Sequence, residues 1–227
     1  MLRATASAFL DLLYPPRCAA CGEPADAGPF CEPCAEAVEP LGPACPRCGE
    51  PGLAAVLCGA CHASPPAFLS LAAGGLYGGP LAEAVQALKY GGRPAVARPL
   101  GAWLAAAASI QPGAAIVAVP LARRRRLERG YDQAALLAGH LARAARARLL
   151  RGALRRLRET PSQVGRHRAA RARNVAGAFA ASRAVAGLDL WLVDDVVTTG
   201  ATADAAARAL LDAGARTVRV VALARAE

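Results

Sequence analysis

The chain has 227 residues, 55% of them hydrophobic, which excludes a disordered polymer and leaves room for one mid-sized domain beside a small one. Its formal net charge of +10, carried almost wholly by arginine with Lys89 as the single lysine, favours anionic partners: phosphorylated metabolites, nucleic acid, or both. No stretch reaches the roughly 18 uninterrupted apolar residues of a membrane span, because the most apolar region, 103–122, is broken by Gln111, Pro112 and Gly113.

The N-terminus, MLRATASAFLDLLYPPRC, reads as a short amphipathic helix rather than a signal peptide. Asp11 interrupts its apolar stretch and no cleavage site follows, so a cytoplasmic location is expected. All eight cysteines come next, as four CxxC pairs: Cys18 and Cys21, Cys31 and Cys34, Cys45 and Cys48, Cys58 and Cys61. A tight CxxC turn brings two sulfurs to one side, and two such pairs close a tetrahedral site for zinc. Two structural zinc sites follow. The alternative, a disulfide scaffold, needs an oxidising compartment for which no export signal is seen. Spacing leaves both a sequential and a cross-braced pairing open. Gly22, Gly49 and Gly59 each follow a cysteine, where a metal knuckle often needs positive φ. So small a module would draw most of its folding free energy from metal, roughly 10 kcal/mol or more per site.

HASPPAF, residues 62–68, marks a boundary. The expected division is an N-terminal helix with a double zinc ribbon over 1–65 and a larger domain over 66–227. Beyond the boundary, 69–77 predicts a strand, 80–90 and 94–110 helices, 115–119 a buried strand, 131–150 a helix, 188–193 a buried strand, 202–213 a helix and 217–223 a last strand. Strands alternating with helices predict an α/β fold with a mostly parallel sheet covered on both faces. Trp103 and Trp191 sit in apolar runs and read as core.

Ligands of such sheets bind beyond the carboxyl ends of the strands. There the chain carries LWLVDDVVTTGAT, residues 190–202. The turn Thr198, Thr199, Gly200, Ala201 and Thr202 enters a helix, and its unpaired N–H groups with the helix dipole make a phosphate cradle. Asp194 and Asp195, one loop away, suit neighbouring ribose hydroxyls, directly or through Mg²⁺. A P-loop is excluded, since no Gly-Lys-Ser or Gly-Lys-Thr is present. This stretch resembles the phosphoribosyl pyrophosphate signature of type I phosphoribosyltransferases. The resemblance implies that Asp194 and Asp195 contact the ribose, and that Thr198 to Thr202 contact the 5′-phosphate.

Two basic stretches accompany it. PLARRRRLERGYDQAALLA, 120–138, follows a strand, and its arginines 123–126 are either a solvated charge run or an anion site. RETPSQVGRHRAARARNVAGAFA, 158–180, reads as a mobile loop running into a short helix. Closing over the reacting carbon, it would exclude water and screen a leaving pyrophosphate, with Arg158, Gln163, Arg168 and Arg171 as candidates. His167 reads as surface, and Asn174 and Phe179 as structural.

The order of parts is four CxxC pairs, LKYGGR (88–93), VPL with its arginine run and RGYDQAALLA, then R-x-T-P-S-Q with NVAGAF, then VDDVVTTGAT. This order resembles the ComF family (ComFC or GntX-like proteins), a double zinc ribbon joined to a phosphoribosyltransferase-type domain. The resemblance implies a link to competence, DNA uptake and the use of incoming DNA. Lys89, Arg129, Gly130, Gln133, Thr160, Gln163, Arg171 and Asn174 fall on its motif positions. Asp132 stands where the family usually has Asn, so a weakened anion contact or a new salt bridge is expected there.

Two functions follow as expectations. One is a phosphoribosyltransferase using phosphoribosyl pyrophosphate and Mg²⁺, with Arg129, Arg158 and Arg171 as catalytic candidates and an unknown acceptor. The other is a non-enzymatic competence factor that binds single-stranded DNA or DNA-processing proteins and keeps the phosphoribosyl site for recognition or regulation. Aromatic residues are only 4% of the chain, so DNA contacts are expected to be mainly electrostatic.

Overall fold

The structure, a computed structural model, describes residues 16–25, 28–158 and 177–226. The expected N-terminal helix lies outside the described residues, as do Thr160, Gln163, His167, Arg168, Arg171 and Asn174.

Two cysteine knuckles open the described chain on one plan. Arg17 bridges Pro24 in the first, and Ala44 bridges Pro51 in the second. The Cys18 N–H donates to the Glu23 carbonyl at 2.7 Å, and the Cys45 N–H to that of Glu50 at 2.8 Å. A short helix follows each knuckle, α1 (Glu32–Glu36) and α2 (Gly59–Ala63). Gly22 and Gly49 have the expected positive φ, +83° and +67°. Gly59 does not: it begins α2, where an ordinary helical backbone serves.

The larger part runs β1 (Leu71–Leu76), α3 (Gly79–Lys89), a 3₁₀ turn (Pro94–Val96), α4 (Ala97–Ala107), β2 (Ala115–Ala118), α5 (Arg123–Arg129), α6 (Gln133–Ala144), β3 (Arg148–Leu149), β4 (Leu154–Arg156), β5 (Phe179–Ala181), β6 (Asp189–Val197), α7 (Ala201–Asp212) and β7 (Thr217–Arg225). Five strands form one parallel sheet in the order β1-β7-β6-β2-β3. The α/β expectation is therefore met.

Apolar residues at helical spacing decide which helix covers which face. Leu81, Val85 and Leu88 of α3, Leu100 and Leu104 of α4, and Leu137 and Leu141 of α6 pack together against Ile116, Val193 and Val221. On the other face Ala203, Ala206, Ala207 and Leu210 of α7 meet Val117, Leu190, Leu192 and Val220. The many alanines allow close helix–sheet approach. Fully buried leucines such as Leu137 contribute about 2 kcal/mol each.

The ribbons lie on this core. Phe30 meets Trp103 edge to face with ring centroids 5.8 Å apart. Edge strand β1 is not bare, because the Leu76 N–H donates to the Glu39 carbonyl at 2.9 Å.

Two expectations change. The helix expected to run to residue 150 stops at Ala144, because Arg146 adopts φ 52° and turns the chain into β3. The loop and short helix expected within 158–180 fall almost wholly on residues 159–176, outside the described residues; Phe179–Ala181 form β5, which pairs antiparallel with β4. Strand β6 runs on to Val197, so Asp194 and Asp195 lie within it rather than just past its end.

Candidate functional site

The end of β2 creates the site. β2 stops at Ala118, and its last contact with β6 is the Val119 N–H on the Val193 carbonyl at 2.9 Å. β6 then continues through Asp194 to Val197 beside β7 alone. On the way from β2 to β3, α6 covers one face of the sheet, and α7 after β6 covers the other. This reversal opens a crevice between the two strand ends, where open α/β sheets bind ligands.

The two aspartates have separate surroundings. Asp195 is 5% exposed. Its Oδ1 accepts from Lys89 Nζ at 2.9 Å and its Oδ2 from Gln133 Nε2 at 2.7 Å. Lys89 ends α3 and Gln133 begins α6, so the carboxylate joins two helices to the strand. Gln133 Oε1 is buried without a partner in the described structure. Asp194 is half-buried, and its Oδ1 accepts from the Asp195 N–H at 2.8 Å. Burial, and then the charge of Asp195, push its carboxyl well above the usual carboxylate range.

Among the described residues Asp132 forms no ion pair with an arginine; its two oxygens accept from backbone N–H groups instead. It caps α6, accepting from the Ala135 N–H at 3.0 Å, and its other oxygen accepts from the Leu121 N–H at 2.9 Å. The side chain thus pins the loop after β2 to the helix carrying Gln133.

Thr198 to Thr202 form the turn into α7. Gly200, at φ +77°, is the N-cap and lets the chain reverse without a Cβ penalty. Thr198 is exposed, while Thr199, Ala201 and Thr202 are half-buried. The Thr199 hydroxyl oxygen accepts from the Ala201 N–H at 3.5 Å. Among the described residues, Phe68 is the nearest side chain to where a Gly200 Cβ would stand, 3.8 Å away.

The turn is held at both ends. The Ala226 N–H donates to the Val197 carbonyl at 2.8 Å, and the Ala67 N–H to Asp204 Oδ1 at 2.6 Å. Both anchors lead back to the second cysteine knuckle. Arg225, 4% exposed, pairs with Glu50 and donates from Nε to the Cys48 carbonyl at 3.4 Å, while Arg47 donates to the Pro66 carbonyl at 2.8 Å.

Among the catalytic candidates, Arg129 ends α5 with its guanidinium carbon 4.6 Å from the centre of the Tyr90 ring, and its Nη1 is buried without a partner. Arg158 is exposed at the open end of the β4–β5 pair. Arg171 lies outside the described residues. Tyr90, not singled out from sequence, and Arg125, from the run read as either solvated or anion-binding, line a groove beside the crevice together with Lys89 and Arg129. The exposed tyrosine between Lys89 and a Gly-Gly turn was the available signal.

The cysteines gather as Cys18, Cys21, Cys31 and Cys34, and as Cys45, Cys48, Cys58 and Cys61, with the sulfurs of each set within 4.8 Å of one another. The pairing is therefore sequential. The Cys21–Cys31 and Cys48–Cys58 sulfur separations are 3.6 Å. Tetrahedral zinc with bonds of about 2.3 Å sets sulfurs about 3.8 Å apart, so the clusters fit that ion. Charge agrees. Burial and its sulfur neighbours push the Cys34 thiol up to about 12, whereas backbone hydrogen bonds outweigh burial and hold Cys18 down to about 6. Four crowded thiolates need a cation, and these two Cys₄ sets are zinc-binding sites.

Residues 9–62 match the double zinc ribbon domain family. DNA utilization protein YhgH of Escherichia coli K12 is 34% identical over 174 residues, covering 74% of this chain and 77% of that protein. Competence protein F of Haemophilus influenzae is 37% identical over 117 residues, covering 49% of this chain and 50% of that protein. A solved structure, TT1426 from Thermus thermophilus, is 22% identical and covers 56% of this chain and 72% of its own, with a TM-score of 0.34, too loose a superposition to bear on the site. Among the described residues no helix is long and apolar enough to cross a membrane. With its paired Cys₄ ribbons, its parallel α/β sheet and these relatives, the chain belongs to the ComF family.

Proposed function

We propose that this protein binds phosphoribosyl pyrophosphate with Mg²⁺ in the β2–β6 crevice, transfers ribose 5-phosphate to a nitrogenous acceptor, and serves the use of incoming DNA. The observation that carries the reading is the acid pair on β6 leading into a positive-φ turn at the start of a 12-residue helix. The N–H groups and hydroxyls of Thr198 to Thr202 would grip the 5′-phosphate, with the helix dipole behind them. Asp194 would accept from the ribose hydroxyls. Asp195 would orient Lys89 and Gln133 toward the sugar. Residues 66–227 would carry this chemistry, and the ribbons within 1–65 would brace it.

The acid pair fits a divalent cation. Asp194 is hard to ionise chiefly because it is buried and then because Asp195 and, less, Asp132 add negative charge, and a cation beside it would offset both. Mg²⁺ when bound would supply charge to offset the departing pyrophosphate. Arg129 would do the same from α5, and Arg158 and Arg171 would approach from the 158–176 segment. The anomeric C–O bond breaks with its electrons on pyrophosphate, and the acceptor nitrogen's lone pair forms the new C–N bond.

A second reading keeps the pocket for recognition or regulation without transfer, in a competence factor that binds single-stranded DNA or DNA-processing proteins. It is favoured by Asp195, whose two oxygens are already taken by Lys89 and Gln133. The relatives' names, DNA utilization protein and competence protein F, support a role in DNA use under either reading.

Thermal shift with phosphoribosyl pyrophosphate and Mg²⁺ tests the shared core, since a ligand of the native state alone must raise its stability. The parent is expected to respond, and Asp194→Asn with Asp195→Asn to lose the response. An unchanged response in the double variant removes the ribose role of the acids. Pyrophosphate release over a panel of nucleobases and amines separates transfer from recognition.

A further inference from the structure

The groove beside the crevice is built by two separate parts of the chain. Lys89, Tyr90 and Gly92 come from the end of α3 and the turn after it, and Arg125, Glu128, Arg129 and Tyr131 from α5 and its exit. It encloses about 500 Å³. The two sides are fastened by the Tyr131 hydroxyl, which donates to the Leu88 carbonyl at 2.6 Å. The floor is thereby fixed while the walls remain open.

The lining is aromatic and cationic at once. Tyr90 is 70% exposed, although an exposed aromatic ring gains little from water. Arg129 lies over its ring, with its Nη1 buried and without a hydrogen-bond partner among the described residues. Arg125 is half-buried on the same wall. Glu128 is the groove's carboxylate, and it is engaged by Arg124 Nε at 2.8 Å on the solvent side of α5. Lys89 is shared with Asp195, so the groove and the acid pair have one wall in common.

We infer that this groove is a nucleotide-binding site in which a base stacks on Tyr90 and a phosphate meets Arg125 and Arg129. A flat π-face supplies affinity for any base, and guanidinium forks match phosphate oxygens. Neither element alone selects a nucleotide; the pair does, because a base and its phosphate are joined at fixed reach. The ligand is either a free nucleotide or one unit of a single strand. The site stands whether or not the crevice next to it binds a sugar pyrophosphate.

The test uses the full chain with its zinc. Binding of thymidine 5′-monophosphate, and of an oligodeoxythymidylate of about eight nucleotides, is measured for the parent, Tyr90→Ala, Tyr90→Phe and Arg125→Ala. Tyr90→Ala is expected to weaken binding about 5- to 100-fold while Tyr90→Phe stays near the parent. Arg125→Ala is expected to lower the salt slope of strand binding by about one. Strand binding without free-nucleotide binding assigns the groove to nucleic acid, and free-nucleotide binding alone assigns it to a metabolite. Equal affinity in the parent and Tyr90→Ala, or no binding of either probe, overturns the inference. Thermal shift with phosphoribosyl pyrophosphate in Arg125→Ala, which lines the groove but is given no part in the crevice, reports on the crevice separately, so failure of one reading is distinguishable from failure of the other.

Discussion

Replacing Lys89 with methionine tests how the acid pair is held. Lys89 Nζ and Asp195 Oδ1 are 2.9 Å apart, and their side chains are 20% and 7% exposed. At an effective dielectric of about 20, two unit charges at that distance attract by about 6 kcal/mol. Desolvation of both groups offsets much of this. Removing one partner still strands the other charge, at a cost of about 3 kcal/mol. For a chain of this size that lowers the melting temperature by about 6–12 °C. Asp195 would keep only the amide of Gln133. Thermal melts of Lys89→Met, Asp195→Asn and the double variant check the reasoning. The double variant should recover at least about half of the loss, because it removes the stranded charge. A Lys89→Met protein melting within about 1 °C of the parent, or a double variant no better than the single, would refute it.

Two further outcomes follow from the same crevice. The folded Asp194 carboxyl holds its proton more readily than an unfolded one near 3.8, so the native state is favoured at low pH. That advantage is lost as pH rises from about 4 through the raised folded value. Melts of the ligand-free protein across this window should therefore decline with pH, and Asp194→Asn should flatten the decline; an unchanged slope in the variant counts against the crowding described for that carboxyl. Gly200→Ala forces an L side chain into the left-handed region, at about 1–2 kcal/mol, although space for the Cβ exists. It should lower the melting temperature by about 2–8 °C and weaken sugar-phosphate binding, and a protein as stable as the parent would show that the turn can relax.

Much of this molecule is visible in its residues because its parts obey local rules. Paired thiols need a tight turn, so CxxC spacing announced the two metal centres. Valine- and leucine-rich runs flanked by helical periodicity announced the sheet. The acid pair and small-residue turn could be read together because they are contiguous in the chain, residues 194–202. What stayed hidden depends on distant partners. β4 and β5 are three-residue strands separated by a long segment, and neither carries its own signal. The end of α6 was missed because AARARLL contains no glycine or proline, and the break falls on Arg146 in an unusual conformation. The pairing of Asp195 with Lys89 and Gln133 joins three elements far apart in the chain. The arginine run showed its division of labour only once folded: Arg124 pairs with Glu128, whereas Arg125 faces the groove.

The duplicated knuckle has diverged in use. The first copy is glued to the helices by Phe30, but the second grips the two ropes from which the threonine turn hangs, through Arg225 on one side and Arg47 on the other. The second zinc site and the threonine turn are therefore joined through these residues. Loss of the second zinc is expected to slacken both ropes, so that starvation for the metal should be felt at a loop that never touches it.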